Sequence, residues 1–516
     1  MHADTAPAIP LRPARWNFLR SVLLGLLLFS VLLSIAGSRR WGLTHDLYLM
    51  HYAVFLMQHG FAPYRDIIEM NMPVSYMVEW LAMTAFGPGD LGMRLFDLCM
   101  LAIASGSAAY LALSRGRFAA ALAALLVAIV HLAGGTPVMG QRDFFLAVFL
   151  LLGTACLVFA IRRAQPWAMA AFAIFYGFAA GIKPFVFPLP FLLLIWICVL
   201  LPRRGVRSLP YVLCSFAGAL LPTLLIAGFL HHFGVRRDFF SILRGLAVYH
   251  RNTGNLPLHS LVFSWLPWTF APLAIFVPLL IFLLPAAART SLQTQTSSPW
   301  SWEDTLLVAL TAFGIVSYIY QGKGWHYQAT TALMFLATLA ARLIATTLRS
   351  AAPLRTITAA IACLVLLLPA GYTTVSIFRH PWTTLPLDVA LRHDLVDFGG
   401  AEQLNGRVQC LDWNYVCIGS LYQLRILPST GFLYDFYLFP AHPSPVTDDL
   451  QRRFLSQVQS DPPRIFILTS HDWPDFQGFA KLDRWPLFRD WMNHNYVLFA
   501  DRHPPDHFAY RIYIRR

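Results

Sequence analysis

The chain has 516 residues, of which 57% are hydrophobic and 13% charged, with a formal net charge of +13. A soluble domain carries about 25% charged residues, so this composition, with a mean hydropathy of +0.55, excludes a soluble globular protein and indicates a polytopic membrane protein. The positive excess does not point to nucleic acid, because much of it falls in short loops between apolar runs, where it sets orientation.

Taken in chain order, Arg12, Arg15 and Arg20 lead into an apolar run, Ser21–Ile35. The small residues Ser34 to Ser38 mimic a signal-cleavage site, but the unusual residues that follow favour an uncleaved first span. Further basic clusters stand at Arg115/Arg117, Arg162/Arg163, Arg203/Arg204/Arg207, Arg289 and Arg342/Arg349/Arg355. Placing all of them inside yields spans near 17–37, 94–113, 118–134, 143–161, 167–182, 185–201, 208–230, 261–285, 304–320, 329–347 and 356–376. The expectation is thus an α-helical membrane protein of about eleven spans, with the N-terminus cytoplasmic. Loop style and compact size suggest a bacterial inner (plasma) membrane.

Two domains are expected, a membrane domain over 1–376 and a small extracytoplasmic α/β domain over 377–516. The first outer loop, 38–93, holds Asp46, Asp66 and Glu69, carboxylates of a kind rarely kept near a bilayer without a task. Leu47 to His59 reads as a helix lying on the membrane surface. Pro73 to Phe86, about 14 residues and closed by Gly87-Pro88-Gly89, is too short to span and reads as a second interfacial helix. In the tail, strand-like runs occur at Arg407–Leu411, Arg464–Leu468, Tyr496–Ala500 and Phe508–Ile514. Five cysteines lie in apolar runs and read as packing residues. Cys410 and Cys417 suit a disulfide in an oxidising compartment, but the residues between them and the neighbouring strand favour two separate thiols.

The same charge rule leaves a set of polar residues on the outer side: Asp46, Asp66, Glu69, Gln141-Arg142-Asp143, Lys183, His250-Arg251-Asn252 and the run Gln321 to Tyr327. A one-sided collection of carboxylates, cations and aromatics suggests an outer-face site. Ordinary loop polarity is the plain alternative.

A first span followed by an Asp, an aromatic-rich helix ending in Gly, then PYRDIIEMNMPVSY, GQRD at 140–143, GIKPFVFPLP at 181–190 and QGKGWHYQ at 321–328 resembles the GT-C superfamily of membrane glycosyltransferases. The nearest likeness is to the bacterial branch related to protein O-mannosyltransferases and aminoarabinose lipid A transferases. It covers most of 17–376 in order, and the tail is similar to the small extracytoplasmic domain of many such enzymes. The resemblance implies transfer of a sugar from a polyprenyl-phosphate carrier to a lipid, polysaccharide or protein acceptor at the outer leaflet, usually with inversion. It maps the catalytic carboxylate onto Asp46. The chain departs from the branch with adjacent Asp-Glu, since Leu47 follows Asp46, and from the Lys-Pro-Pro pattern of the aminoarabinose enzymes, since it has Asn71-Met72-Pro73.

Such chemistry needs a base for the acceptor hydroxyl and cations for the departing phosphate. Asp46 is the first candidate for the base, though the same position suits a helix cap. Asp66 and Glu69, three apart, would share a face on a helical turn and there orient an acceptor or hold a divalent cation. Tyr64 and Arg65 join the substrate-binding candidates beside them. Phosphate candidates are Arg142, Lys183, Arg236, Arg237, Arg251 and Lys323. Arg236 and Arg237 read more readily as solvated charges, Asp143 as a partner of Arg142, and Lys183 equally as a snorkelling span end. Trp325 and His326 suit stacking on a sugar, or a membrane-interface belt. Phe185 to Phe191 suits a prenyl groove or plain packing. His45, His51 and His59 lack metal-ligand spacing. The rival classes are a transporter, which would place charges in mid-span, and a non-catalytic envelope scaffold, which would tolerate loss of Asp46.

Overall fold

The computed structural model describes residues 13–44, 46–265, 300–348, 367–379, 386–413, 416–475, 477–504 and 508–516. Among these, seven helical stretches are long and apolar enough to cross a membrane: Asn17–Ser38, Asp90–Arg115, Arg142–Arg163, Pro184–Arg204, Leu209–His232, Trp302–Gln321 and His326–Thr347. Two shorter apolar helices, Arg117–Ala133 and Ala168–Ile182, pack among them. The predicted spans at 261–285 and 356–376 lie for the most part outside the described residues, as does His45.

In chain order the helices are α1 (Pro13–Ser38), α2 (Asp46–Gln58), α3 (Pro73–Phe86), α4 (Asp90–Ala112), α5 (Arg117–Ala133), α6 (Arg142–Arg163), α7 (Ala168–Ile182), α8 (Pro188–Leu200), α9 (Leu209–His232), α10 (Arg236–Asn252), α11 (Trp302–Gln321) and α12 (Thr330–Thr347). One end of the bundle gathers cations from loops far apart in sequence. Arg115 and Arg342 both donate to Asp304, the latter at 2.6 Å, and Arg162 donates to Glu303 at 2.6 and 2.8 Å. Arg342 is fully buried there and also bonds the Leu111 carbonyl. These cations come from clusters that the charge rule places on one side, and the first turn of α11 supplies the carboxylates that neutralise them.

At the opposite end, the Arg94 guanidinium in α4 donates to Asp97 and, at 2.5 Å, to the Ser38 hydroxyl ending α1. It lies 4.6 Å over the Trp41 ring. Asp97 also bonds His131 at 3.0 Å. All three charged or ionisable side chains are buried, so the network binds the ends of α1, α4 and α5 to one another.

Helix α3 has the predicted bounds, starting at Pro73 and stopping at Gly87, whose φ of 95° few other residues adopt. Helix α2 departs from the expected surface helix. Every residue from Leu47 to Met57 is buried. The tail covers it: Tyr48 donates to Asp388 at 2.8 Å, Tyr52 to the Ile426 carbonyl at 2.9 Å, and the Val416–Gln423 helix lies across it. Gly419 makes that approach possible, since a Cβ there would stand 2.7 Å from the Tyr48 ring. His51 of α2 meets Glu79 of α3 as a buried pair. An apolar helix with scattered polar residues thus becomes internal once a second layer covers its outer side.

The tail holds a four-stranded sheet in the order β1-β2-β4-β3, with β1 (Val408–Leu411) parallel to β2 (Ile465–Thr469), and β3 (Tyr496–Arg502) and β4 (Tyr510–Arg515) antiparallel to their neighbours. Strands β1 and β2 are wholly buried; β2 is apolar up to Thr469, and the one polar side chain within β1, Gln409, is hydrogen-bonded to the Phe432 carbonyl and to Thr430. Cys410 and Cys417 are disulfide-bonded with their Cα atoms 5.9 Å apart, contrary to the expectation of separate thiols. The chain leaves β1 and turns straight into the Val416–Gln423 helix, which brings the second sulfur back beside the first.

Candidate functional site

Asp46 is the first residue of α2 and Arg142 the first of α6. The Arg142 guanidinium donates to Asp46 at 2.5 Å and, through its other terminal nitrogen, to the Asn71 side-chain oxygen. The loop before α6 is shaped for this. Gly140 has a φ of 62°, and a Cβ there would meet Met93 at 2.3 Å and Leu47 at 2.8 Å. Its amide donates to Asp97 at 2.9 Å. The buried network at the bundle end therefore fixes the backbone two residues before Arg142.

Asn71 links onward. Its amide donates to Glu69 at 3.1 Å, and its carbonyl accepts from the Tyr64 hydroxyl at 2.7 Å. Glu69 is 3% exposed and also accepts from the Met70 amide at 2.8 Å. Burial raises its pKa, and the opposing pull of Tyr434 and Arg142 does not offset it. Tyr434 and Tyr437 of the tail, whose hydroxyls bond at 2.9 Å, close this region from above.

Lys183, just beyond α7, donates to both oxygens of Asp143 at 2.7 and 2.8 Å and to Gln321 at 2.5 Å. Asp143 thus partners Lys183, not Arg142 as the sequence suggested. Lys323 donates to the His250 carbonyl at 2.8 Å, to the Thr253 carbonyl and to Asn255 at 2.7 Å. It thereby caps the C-terminal end of α10, where a cation also suits the helix dipole. Burial lowers its pKa to about 8. His250 is half-buried, and its pKa is pushed down to about 3, first by burial and then by the charges of Lys323, Arg142 and Lys183, against which Asp46 acts weakly. One histidine feeling all four charges marks them as parts of a common space.

Asp66 and Glu69 do not share a helical face. Residues 61–72 form a turn and extended chain, with Tyr64 at a φ of 67° and Pro73 next in line. Asp66 accepts from the Ala62 amide at 2.8 Å and pairs with exposed Arg65 at 3.2 Å. Its partners belong to the contact with the tail, where Arg453 bonds the Arg65 carbonyl, and not to the Asp46–Arg142 network. The two carboxylates are therefore not a shared cation site, and no group of three or more His, Cys, Asp or Glu among the described residues is placed to hold a metal.

Half-buried Trp325 packs on Tyr327 and on Trp473 of the tail, both with centroids 5.6 Å apart, whereas His326 is exposed. Lys323 lies 5.7 Å from the Trp473 ring. Phe187, just before α8, and Phe191 on it are exposed, and Arg251 stacks 5.2 Å over Tyr320. His250 and Gln321 belong to the outer-side polar set read from the sequence, and Asn71 to the departure from the aminoarabinose pattern, but none of the three carries a role there, and Tyr434 and Trp473 are not among the sequence candidates. A polar Asn and Gln between candidate charged residues were a usable signal. Nothing local marked Tyr434 or Trp473, which reach the site through tail packing.

No family model and no curated protein matches the chain. Among solved structures, it is similar to ArnT from Cupriavidus metallidurans bound to undecaprenyl phosphate, with a TM-score of 0.55 and 12% identity over 97% of this chain and 98% of that one. The apo state of the same protein gives 0.56 and 13% identity over 95% and 98%. The archaeal oligosaccharyltransferase AglB from Archaeoglobus fulgidus, in complex with an inhibitory peptide and a dolichol-phosphate, gives 0.50 and 10% identity over 95% and 74%. At these identities the likeness is one of fold: the chain has the fold of ArnT and AglB, in line with the resemblance its motifs carry.

Proposed function

We propose that the chain is an integral membrane glycosyltransferase. It moves a sugar from a polyprenyl-phosphate carrier to a lipid, polysaccharide or protein acceptor on the outer face of the membrane. The observation that carries this reading is the Asp46–Arg142 pair, set among Asn71, Lys183 and neutral His250. The bound undecaprenyl phosphate and dolichol-phosphate of the two fold neighbours support the donor class.

In this mechanism the donor phosphate enters beside Arg142 and Lys183 and competes with Asp46 for the guanidinium. Asp46 is thereby released as a base. It takes the proton of the acceptor hydroxyl while that oxygen bonds to the anomeric carbon, and the carbon–phosphate oxygen bond breaks on the opposite side with inversion. The electron pair leaves on the polyprenyl phosphate, whose charge the two cations stabilise. A half-buried, uncharged His250 adds no competing cation. Glu69, buried and held by Asn71, positions Arg142 rather than reacting.

The test is sugar transfer by purified protein, with a panel of labelled polyprenyl-phosphate sugars and Asp46→Asn as the comparison. Turnover that disappears in Asp46→Asn with donor binding intact supports the reading. Turnover unchanged by Asp46→Asn removes the base, and absence of both binding and turnover across the panel removes the enzyme.

A further inference from the structure

Helix α10 faces the site with one side only. Phe239, Leu246 and Tyr249 are buried, and Phe239 packs on Tyr64 at 5.1 Å. The other side carries Arg236, Arg237 and Arg244 around Phe240, and with Val446 of the tail it lines an open cleft of about 820 Å³. Spacings of three, four and eight place these residues on one helical face. Among the described residues, no carboxylate forms an ion pair with any of the three arginines, Asp238 of the same helix included. In the orientation set by the loop charges, this helix lies on the outer side, where arginine clusters are under-represented. Three unpaired arginines there call for an anion.

A second feature adjoins them in the chain. The last turns of α9 and the outer face of α3 form an apolar groove of about 580 Å³, lined by Trp80, Leu81, Leu224, Gly228, Phe229 and Phe233. Leu81 and Leu224 are 57% and 65% exposed, as on a surface that meets lipid. The chain then turns at Gly234, with φ 64°, directly into Arg236. A soluble anion has no use for the groove, and an uncharged lipid has none for the arginines. A lipid whose phosphate headgroup is net negative satisfies both, since its chain needs apolar cover and its phosphate, with no cation of its own beside it, accepts forked guanidinium bonds.

We propose that the α3–α9 groove and the arginine face of α10 form a binding site for an anionic phospholipid, one whose phosphate headgroup carries net negative charge. Its chain lies against Trp80 and Gly228, and its phosphate is held by Arg236, Arg237 and Arg244. Occupancy of this site is read by lipid retention and does not depend on the transferase reading.

The protein is reconstituted in nanodiscs of equal phosphatidylglycerol and phosphatidylcholine, extracted, and its retained lipids are counted by native mass spectrometry. Wild type is expected to keep phosphatidylglycerol roughly tenfold over phosphatidylcholine. The triple variant Arg236→Gln/Arg237→Gln/Arg244→Gln loses that preference. Gly228→Phe, where a Cβ meets nothing within 4 Å, fills the groove and loses the retained lipid, with thermal unfolding confirming that both variants are folded. No preference in wild type, or one the triple variant keeps, overturns the site. So does retention that depends on the arginines, is untouched by Gly228→Phe and is displaced by inorganic phosphate, because that is an anion site without a lipid chain.

Discussion

The Arg142 guanidinium donates to the Asp46 carboxylate at 2.5 Å, joining the first turn of α6 to the first turn of α2. Each side chain is held by the other while no donor competes for them. Replacing either one therefore changes the state of both. Asp46→Asn should lower the transfer rate by roughly 10²–10⁴, the usual weight of a general base, while donor binding is kept or tightened, because the phosphate no longer competes with a carboxylate for the guanidinium. Arg142→Gln should weaken donor binding and slow transfer together. The double variant should fall well short of the product of the two losses, because residues acting as a unit are not additive. Single-turnover transfer and donor-binding titrations of the three variants check this; fully multiplicative losses would separate the two residues.

Asp97 shapes the site from a distance. It accepts from the Gly140 amide at 2.9 Å and is bonded by Arg94 and His131, with all three side chains buried. Asp97→Leu leaves Arg94 as an uncompensated buried charge, which costs on the order of 3–5 kcal/mol. It should lower the melting temperature far more than Asp46→Asn does. Equal melting temperatures for the two variants in a detergent unfolding assay would contradict the network.

Lys323 and His250 set opposite limits in pH. The Lys323 ammonium, with a pKa lowered to about 8 by burial, spends its three donors on the His250 and Thr253 carbonyls and on Asn255. Above about 8 it loses a proton and one of these bonds, so activity should fall on the alkaline side. Lys323→Met should abolish that limb and lower activity at every pH. His250 has its folded pKa depressed to about 3, below the unfolded value near 6.5. The unfolded state then binds the extra proton, so this contribution to stability is complete above about 6.5 and is lost progressively as the pH falls toward 3. Melting curves from pH 7 to 4 should slope less in His250→Gln than in wild type.

The Cys410–Cys417 bond closes a short loop, with a sequence separation of 7, at the start of the helix that covers α2. Loop-closure entropy gives such a bond about 2–3 kcal/mol. Reduction should therefore lower the stability of the tail. Because Tyr48 and Tyr52 of α2 bond Asp388 and Ile426 of the tail, it should also lower transfer activity. The comparison is melting and transfer with and without a thiol reductant, with Cys410→Ser/Cys417→Ser as the control that reductant leaves unchanged.

The membrane class, the bounds of α3 and the strand segments of the tail were legible in the residues alone. Each depends on local causes: apolar composition, a proline start with a glycine stop, and short runs rich in β-branched, aromatic and other apolar residues. The company kept by Arg115, Arg162 and Arg342 was legible as well, because loop charge reflects sidedness. Asp46, Glu69, Arg142, Lys183 and Lys323 stood out as unusual residues, but their pairings did not. Lys183 meets Asp143 across two helix ends, Lys323 caps α10, and Asp66 turns away from Glu69 at a left-handed Tyr64. Only the tertiary structure decided these, since each partner is brought in by packing between elements distant in the chain. The burial of α2 has the same origin: its own residues leave the outer side open, and the tail covers it through Asp388, Gly419 and Ile426, whose placement no local pattern encodes.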